Sequence, residues 1–208
     1  MAISMQHWNG NQLCVIDTET TGLDSHQHEI CQICILPLDS NIEPRKDILP
    51  FYLKLIPWYP ERVDEESMKT HKIPLVDLMQ NGFDKDKAID LLAEWLEKLD
   101  LPYTPSGFRK QVVPLGQNYA FDLRFIQAWI GINMYNEYFN YHFKDTMTTA
   151  GYLNDRAAMH GEKVPYSKVN LQWLCSTHKI KTERAHDALS DCVATAKVYK
   201  EMLKVGLF

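Results

Sequence analysis

Apolar runs of strand length dominate the first third of the chain, and helical periodicity dominates the rest. Leu13–Asp17 and Ile30–Leu36 are short apolar runs separated by a polar segment. Their order and length predict two adjacent strands that form a hairpin. A third strand is predicted near Phe51–Ile56, within an irregular stretch, Pro37–Pro74, that contains six of the ten prolines.

Five helices are predicted after this stretch. In the segment Asp84–Leu99, apolar residues recur at helical spacing, and Asp84 can cap the first turn. The face of this helix that we expect in water carries Lys87, Asp90, Glu94 and Lys98. The remaining predicted elements are a strand at Val112–Leu115, a helix from Phe121 to Ile130, helices at Thr146–Asp155 and Val169–His178, and a last helix from about Ala188.

The order of these elements predicts the fold class. Strands come first and helices follow, so we expect an α/β fold with a mixed central sheet flanked by helices. A length of 208 residues with 45% apolar and 11% aromatic residues is ample for one sizeable core. We therefore expect a single domain, residues 1–208.

The chain carries no sign of a secretory or membrane protein. Its first twelve residues lack the basic and apolar regions of a signal peptide, and no apolar run approaches membrane-spanning length. Five cysteines, an odd number without dense spacing, fit buried thiols in a reducing compartment. These observations predict a soluble, cytoplasmic protein.

The overall charge leaves the class of ligand open. A formal net charge of −5 argues against a broad basic surface that binds duplex nucleic acid through its phosphates. A cleft that holds divalent cations reverses this argument, because the bound metals become the largest local positive charges and receive a phosphate themselves. Charge therefore neither favours nor excludes a nucleic-acid enzyme.

The first candidate for chemistry is the segment CVIDTETTGLD, Cys14–Asp24. Asp17 and Glu19 stand two positions apart at the end of an apolar strand, so both carboxylates point to one face. Two like charges this close repel unless a cation lies between them. An exposed, polar strand end is the commoner explanation of a bare Asp-x-Glu. Here the apolar strand before Asp17 and the Thr-Thr-Gly-Leu after Glu19 argue against that explanation.

Two later segments add acids at helix starts. In GQNYAFD, Asp122 falls in the first turn of a predicted helix, and in HDALSD, His186 and Asp191 open the last one. Acids in a first helical turn are also what the helix dipole favours. Each of these segments alone therefore indicates no more than an ordinary helix start.

Together, DTETTGL, GQNYAFD and HDALSD resemble the three motifs of the DEDD superfamily of 3′–5′ exonucleases, in its histidine-containing branch (DEDDh). That branch includes the proofreading subunit of bacterial replicative DNA polymerase and several RNA-trimming enzymes. Order and spacing agree from Asp17 to Asp191. Smaller similarities are Thr70–Ile73, at the place of a His-Gly-Ile element, and Lys144-Asp145-Thr146, which resembles an Asp-Thr before a helix.

The resemblance implies a ribonuclease H-like exonuclease fold and a role for each matched residue. Asp17, Glu19, Asp122 and Asp191 become metal-binding acids, and His186 becomes the general base. Thr20, Thr21, Leu23 and Asn118 become contacts of the terminal nucleotide or its neighbour. Gln117 stands where the family usually has histidine, a departure that leaves the acids untouched but affects contacts with the substrate strand.

The implied chemistry is two-metal hydrolysis. Two Mg²⁺ or Mn²⁺ ions about 3.5–4 Å apart can flank a phosphodiester, where one activates a water and the other stabilises the departing oxygen. Hard carboxylate oxygens suit Mg²⁺, and a histidine can accept the proton of the water near neutral pH. The product would be a nucleoside 5′-monophosphate released from a 3′ end.

Other candidate sites are better explained by structure. Cys31 and Cys34 lie three apart on a predicted strand and so point to opposite faces, which disfavours zinc. His26 and His28 fit exposed turn residues better than ligands. The aromatic pair Trp58-Tyr59 and the aromatic stretch Tyr135–Tyr141 fit base stacking and packing equally well.

The expected partner is the 3′ end of a nucleic acid, with single-stranded DNA favoured over RNA. The same chemistry on RNA is an alternative, and a contact with the 2′-hydroxyl would decide between DNA and RNA. A catalytically silent binding module is a more distant alternative. Only 17 residues follow Asp191. That length favours a free-standing enzyme over a polymerase-bound subunit, although a polymerase partner or a homodimer stays open.

Overall fold

A five-stranded mixed sheet forms the centre of the molecule. The computed structural model describes residues 10–182 and 186–205. In chain order the strands are β1 (Gln12–Thr20), β2 (Ile30–Pro37), β3 (Phe51–Lys54), β4 (Val112–Gly116) and β5 (Lys144–Asp145). Their order across the sheet is β3-β2-β1-β4-β5.

The predicted hairpin is confirmed. Strands β1 and β2 pair antiparallel with Asp17 opposite Cys34, and β3 continues antiparallel on the outer side of β2. Strands β4 and β5 add parallel pairings on the other side of β1. The mixed sheet predicted from the sequence is therefore observed, with β1 at its centre.

Eight α-helices lie in the described part of the chain. The sequence predicted five of them, and these begin close to their predicted caps or starts. Asp84, for example, accepts hydrogen bonds from the backbone N–H groups of Asp86 and Lys87. The helices are α1 (Glu65–His71), α2 (Leu75–Asn81), α3 (Lys85–Lys98), α4 (Tyr119–Ile130), α5 (Ile132–Tyr138), α6 (Thr146–Met159), α7 (Leu171–Thr177) and α8 (Ala188–Met202).

Helices cover both faces of the sheet because side chains alternate along each strand. Cys14 and Ile16 of β1 pack with residues of α3, α4 and α5 on one face. Leu13 and Val15 pack with Cys192 of α8 on the other. Helices α6 and α7 pack in turn on the outer side of α8, which places α8 between the sheet and a further layer.

The irregular stretch 37–74 holds more structure than predicted. Besides β3, it contains a 3₁₀ turn at Pro60–Arg62 and the helix α1, which Asp64 caps by accepting from the Ser67 N–H. Helices α2 and α5 were also not predicted. Each of these three helices has seven residues, which leaves few positions in which apolar periodicity can show. Helix α7 is equally short but was predicted.

Strand β1 also extends beyond its predicted end at Asp17, to Thr20. The expectation for the cysteines is confirmed: Cys31 packs with Ile73 and Leu78, whereas Cys34 lies on the opposite face with the α8 cluster. All five cysteines are buried free thiols. None of the described helices has the length and apolar character needed to cross a membrane.

Candidate active site

The first two acids lie on the central strand. Asp17 and Glu19 both project from the β1 face that α8 covers, and both side chains are half-buried. The pairing of β1 with β2 shifts register between Glu19 and Thr20. That irregularity ends the regular strand immediately after the second carboxylate, so the chain turns away there and leaves the pair at an open end of the sheet.

Asp122 lies beside the part of β1 that extends beyond its pairing with β4. Pairing of β1 with β4 ends at Val15, opposite Leu115. Beyond that point Asp122, in the first turn of α4, accepts hydrogen bonds from the Thr18 N–H at 2.9 Å and from the Thr18 hydroxyl at 2.7 Å. One carboxylate oxygen, Oδ1, receives both bonds, so this acid is fixed beside the Asp17–Glu19 pair although it is 104 residues distant.

The fourth acid and the histidine come from the start of α8. His186 has a left-handed backbone, φ 62°, and its N–H donates to Asp191 Oδ2 at 3.2 Å. Ligand atoms of Glu19, His186 and Asp191 all lie within 4.8 Å of one another. The three residues preceding His186 lie outside the described residues.

A hydrogen-bond network that was not predicted from the sequence fixes this helix start on the sheet. Asp187 caps α8 by accepting from the Ser190 N–H at 3.1 Å and also accepts from the Tyr52 hydroxyl at 2.6 Å. Gln32 donates to Tyr52 and accepts from the Ala188 N–H at 3.0 Å. A glutamine inside the apolar strand ICQICIL was the signal that could have identified it.

Burial raises the pKa of all four acids, and repulsion within the group raises the pKa of Asp17 and Glu19 further. Burial first, and then the charges of Asp122, Glu19 and Asp191, raise the pKa of Asp17 well above its ordinary range. The same causes, burial and then Asp191 and Asp122, raise the pKa of Glu19 to about 8. Burial raises the pKa of Asp122 to about 7 against the opposing hydrogen bonds from Thr18, and burial also raises the pKa of Asp191.

These properties fit a divalent cation. Four converging carboxyl groups are unfavourable as anions in a buried site. Cations with a preference for hard oxygen ligands would remove that repulsion. Glu19 and Asp191 could share one ion with His186 nearby, while Asp17 lies close enough to the other three acids to be perturbed by each.

The threonine hydroxyls that follow Glu19 form hydrogen bonds with nearby backbone groups. Thr20 Oγ1 donates to the Gly22 carbonyl at 2.7 Å, and Thr21 Oγ1 accepts from the Glu29 N–H at 2.9 Å. Both threonines are buried, whereas Leu23 is 77% exposed. Of the residues expected to hold the terminal nucleotide in this loop, Leu23 thus offers a free side chain, and the threonines shape the loop that presents it.

Gln117 and Asn118 differ in what they contact. The Gln117 amide donates to the Val169 carbonyl at 2.8 Å and accepts from the Thr146 hydroxyl at 2.6 Å. It therefore ties the end of β4 to the segment before α7. Asn118 is exposed with a left-handed backbone, φ 61°, and makes no side-chain cap to α4, so its amide is free to meet a ligand.

One family of known proteins matches this chain. The family model RNase_T, described as an exonuclease, matches residues 14–199. Curated protein sequences give no match to this chain.

Solved structures resemble this fold over most of its length. Cell-death related nuclease 4 matches with a TM-score of 0.69 and 18% identity, over 94% of this chain and 64% of that one. E. coli exonuclease I in complex with a dT13 oligonucleotide matches with a TM-score of 0.66 and 18% identity, over 92% and 40%. Exonuclease I from Methylocaldum szegediense gives 0.69 and 19%, over 94% and 41%.

This chain therefore spans 64% of the first of these proteins and about 40% of the others. At such identities the likeness concerns the fold alone. It confirms the expected α/β architecture, a mixed sheet flanked by helices of the ribonuclease H-like exonuclease type.

Proposed function

The chain belongs to the RNase_T exonuclease family, and from that premise we propose that it hydrolyses single-stranded DNA from the 3′ end and releases nucleoside 5′-monophosphates. The observation that carries the proposal is the convergence of Asp17, Glu19, Asp122 and Asp191 from three separate elements. Their raised pKa values support a site built for cations rather than a chance group of surface acids.

Divalent metal dependence follows from the family, and we propose two Mg²⁺ or Mn²⁺ ions. Asp17, Glu19, Asp122 and Asp191 would hold them. When bound, such ions lower the pKa of a water nucleophile and neutralise charge on the leaving oxygen. The protein's own contribution is to hold the acids at fixed positions, since Thr18 restrains Asp122 and the capped start of α8 positions Asp191.

His186 is the proposed proton acceptor. Its backbone N–H is bonded to Asp191, which holds the residue at the mouth of the acidic group, and its ring lies within 4.8 Å of ligand atoms of Glu19 and Asp191. An imidazole in that place can take the proton of the attacking water at neutral pH. All five proposed catalytic positions are filled, which argues against a silent binding module.

Thr20, Thr21, Leu23 and Asn118 are the proposed contacts of the last nucleotides. Leu23 exposes 77% of its surface in the loop that follows Glu19, so it can pack against a terminal base. DNA is preferred over RNA in this proposal because E. coli exonuclease I, with the same fold, has been solved with dT13 and dA16 oligonucleotides. The experiment below would show whether RNA is the preferred substrate instead.

The test compares labelled strands under controlled metal conditions. We expect a 5′-labelled DNA oligonucleotide to shorten progressively in Mg²⁺ or Mn²⁺, and a 3′-phosphate to hinder the reaction. Circular single strands should survive, and chelator should abolish digestion. A matched RNA strand should be digested more slowly. Using the isolated chain also shows whether a polymerase partner is needed.

Controls separate the proposed acids from other acids. Asp191→Asn should lose most activity, whereas Asp155→Asn, an exposed acid of α6, should keep it. Rapid cutting of circles, or digestion that persists in chelator, would overturn the proposal. Faster digestion of RNA would keep the chemistry and reassign the substrate.

A further inference from the structure

A small aromatic pocket lies directly behind the Thr20–Leu23 loop. Its volume is about 140 Å³, and its lining includes His28, Trp58, Tyr59, Arg62, Phe125 and Trp129. Thr21 connects it to the proposed active site, because the Thr21 N–H donates to the Glu29 carbonyl at 2.8 Å and the Thr21 carbonyl accepts from the Asp64 N–H at 2.7 Å. The pocket therefore adjoins the loop that we propose holds the terminal nucleotide.

The floor of the pocket is a buried ion pair. Lys85 is 2% exposed in its side chain and is paired with Glu29, which is 11% exposed. The Glu29 carboxylate also accepts from the Trp58 N–H at 2.8 Å and from the Tyr59 N–H at 3.0 Å. One carboxylate thus satisfies three donors and fixes the backbone that carries both aromatic rings.

The rings themselves remain open to solvent. Trp58 is 47% and Tyr59 is 46% exposed. Cations lie against both: Lys85 Nζ is 4.7 Å from the centre of the Trp58 ring, and Arg62 Cζ is 4.2 Å from the centre of the Tyr59 ring. Large aromatic side chains usually bury most of their surface, so two fixed, half-exposed rings with adjacent cations form a prepared surface.

We propose that this pocket binds a nucleobase of the substrate strand, upstream of the terminal nucleotide. Stacking on aromatic side chains is the sequence-tolerant way in which proteins hold single-stranded nucleic acid. The volume of about 140 Å³ is below the 300–1,000 Å³ range of drug-sized pockets, so it suits one planar ring rather than a whole nucleotide.

Arg62 supplies the charge for the adjoining phosphate. Its side chain is 50% exposed, and it is paired with the exposed Glu61, 67% exposed, at 3.9 Å. A surface pair of this kind contributes little, so the guanidinium can exchange it for a phosphate. The inference rests on the proposed exonuclease function, because it assigns the pocket to the same strand.

The experiment compares a long and a minimal substrate. Oligothymidylate can reach the pocket, whereas the p-nitrophenyl ester of thymidine 5′-monophosphate fills only the terminal site. For Trp58→Ala we expect KM for oligothymidylate to rise about tenfold, the loss expected for one stacked base. For Arg62→Gln we expect a rise of about three-fold and a weaker dependence on salt. In both variants kcat, and KM for the ester, should stay unchanged.

The matched control is Tyr103→Ala, since Tyr103 is 68% exposed and lies in the connection before β4, away from the acidic group. It should leave both KM values unchanged. An unchanged KM for oligothymidylate in Trp58→Ala and Arg62→Gln would overturn the proposal. An equal change with both substrates, or an equal change in the control, would also overturn it.

A failure of the exonuclease proposal can be distinguished from a failure of the pocket proposal. If the wild-type protein hydrolyses neither substrate, that proposal fails, and oligothymidylate binding by fluorescence anisotropy in Ca²⁺ still tests the pocket. There the dissociation constant should rise about tenfold in Trp58→Ala. Thermal unfolding of each variant shows whether it is folded, and the surface change Arg62→Gln keeps the test decisive if Trp58→Ala does not fold.

Discussion

At the scale of single residues, the acidic group makes the metal-free protein sensitive to pH. The folded-state pKa of Glu19 is raised from 4.5 to about 8 and that of Asp122 from 3.8 to about 7. A folded state with raised carboxyl pKa values binds more protons than the unfolded chain. The stability that these carboxyl groups contribute is therefore complete below their pKa in the unfolded chain. It is lost as the pH rises through their pKa in the folded protein.

Removing one charge should relieve this repulsion. In chelator, we expect the free energy of unfolding to fall between about pH 5 and pH 8 for the wild-type protein and to fall less for Asp17→Asn. At about pH 8 the variant should be more stable by at least about 1 kcal/mol, or about 2–4 °C in Tm. Asp155→Asn is the control, and equal pH profiles in all three proteins would contradict the expectation.

Replacing His186 should have a different effect on activity from replacing one of the four acids. His186→Ala leaves all four carboxylates in place, so metal affinity should persist while turnover falls by about 10²–10⁴-fold, the usual contribution of a positioned base. Higher pH should partly restore turnover, because hydroxide needs no base. Turnover against pH at saturating Mn²⁺ tests this, with calorimetry for metal affinity and His160→Ala, an exposed histidine, as control.

Two results would change the role of His186. An unchanged rate in His186→Ala would remove the residue from the reaction. A matching loss of Mn²⁺ affinity would make it a ligand, which its position within 4.8 Å of atoms of Glu19 and Asp191 also allows.

At the scale of elements, the start of α8 decides where His186 and Asp191 stand. The Tyr52 hydroxyl of β3 links Gln32 of β2 to Asp187, the residue that caps α8. The site therefore depends on contacts between the sheet and a helix whose capping residue, Asp187, lies 135 residues after Tyr52.

Tyr52→Phe removes this hydroxyl and leaves the ring. We expect kcat to fall about tenfold, because a small displacement of catalytic groups is costly, with a stability loss of about 1 kcal/mol for the lost hydrogen bonds. Tyr138→Phe is the matched control, since the Tyr138 hydroxyl bonds to the exposed side chain of Glu97. Equal kcat values in the two variants would show that the network does not position α8.

At the scale of the whole molecule, we expect the fold not to depend on metal. Apolar clusters fill both faces of the sheet, one beneath α3, α4 and α5 and the other beneath α8. We expect chelator to leave the far-ultraviolet circular dichroism unchanged and thermal unfolding to remain a single transition, because these cores stabilise the fold without ligands. Loss of helical signal on chelation would make the ions structural.

The sequence by itself determined the local arrangement of this protein. Alternation along an apolar strand placed Asp17 and Glu19 on one face, and the capping acid Asp84 with its apolar periodicity predicted α3. The three motifs predicted the family and the five candidate residues. These features depend on neighbours within a few positions, which is why the pattern alone contained them.

Only the tertiary structure decided which distant groups meet. The Thr18–Asp122 bonds join residues 104 positions apart, and the Gln32–Ala188 bond joins residues 156 apart. The sequence pattern also does not indicate the Glu29–Lys85 pair, which fixes the backbone of Trp58 and Tyr59. Periodicity defines the face of an element, but contacts between elements depend on how those faces pack, and packing depends on the whole chain at once.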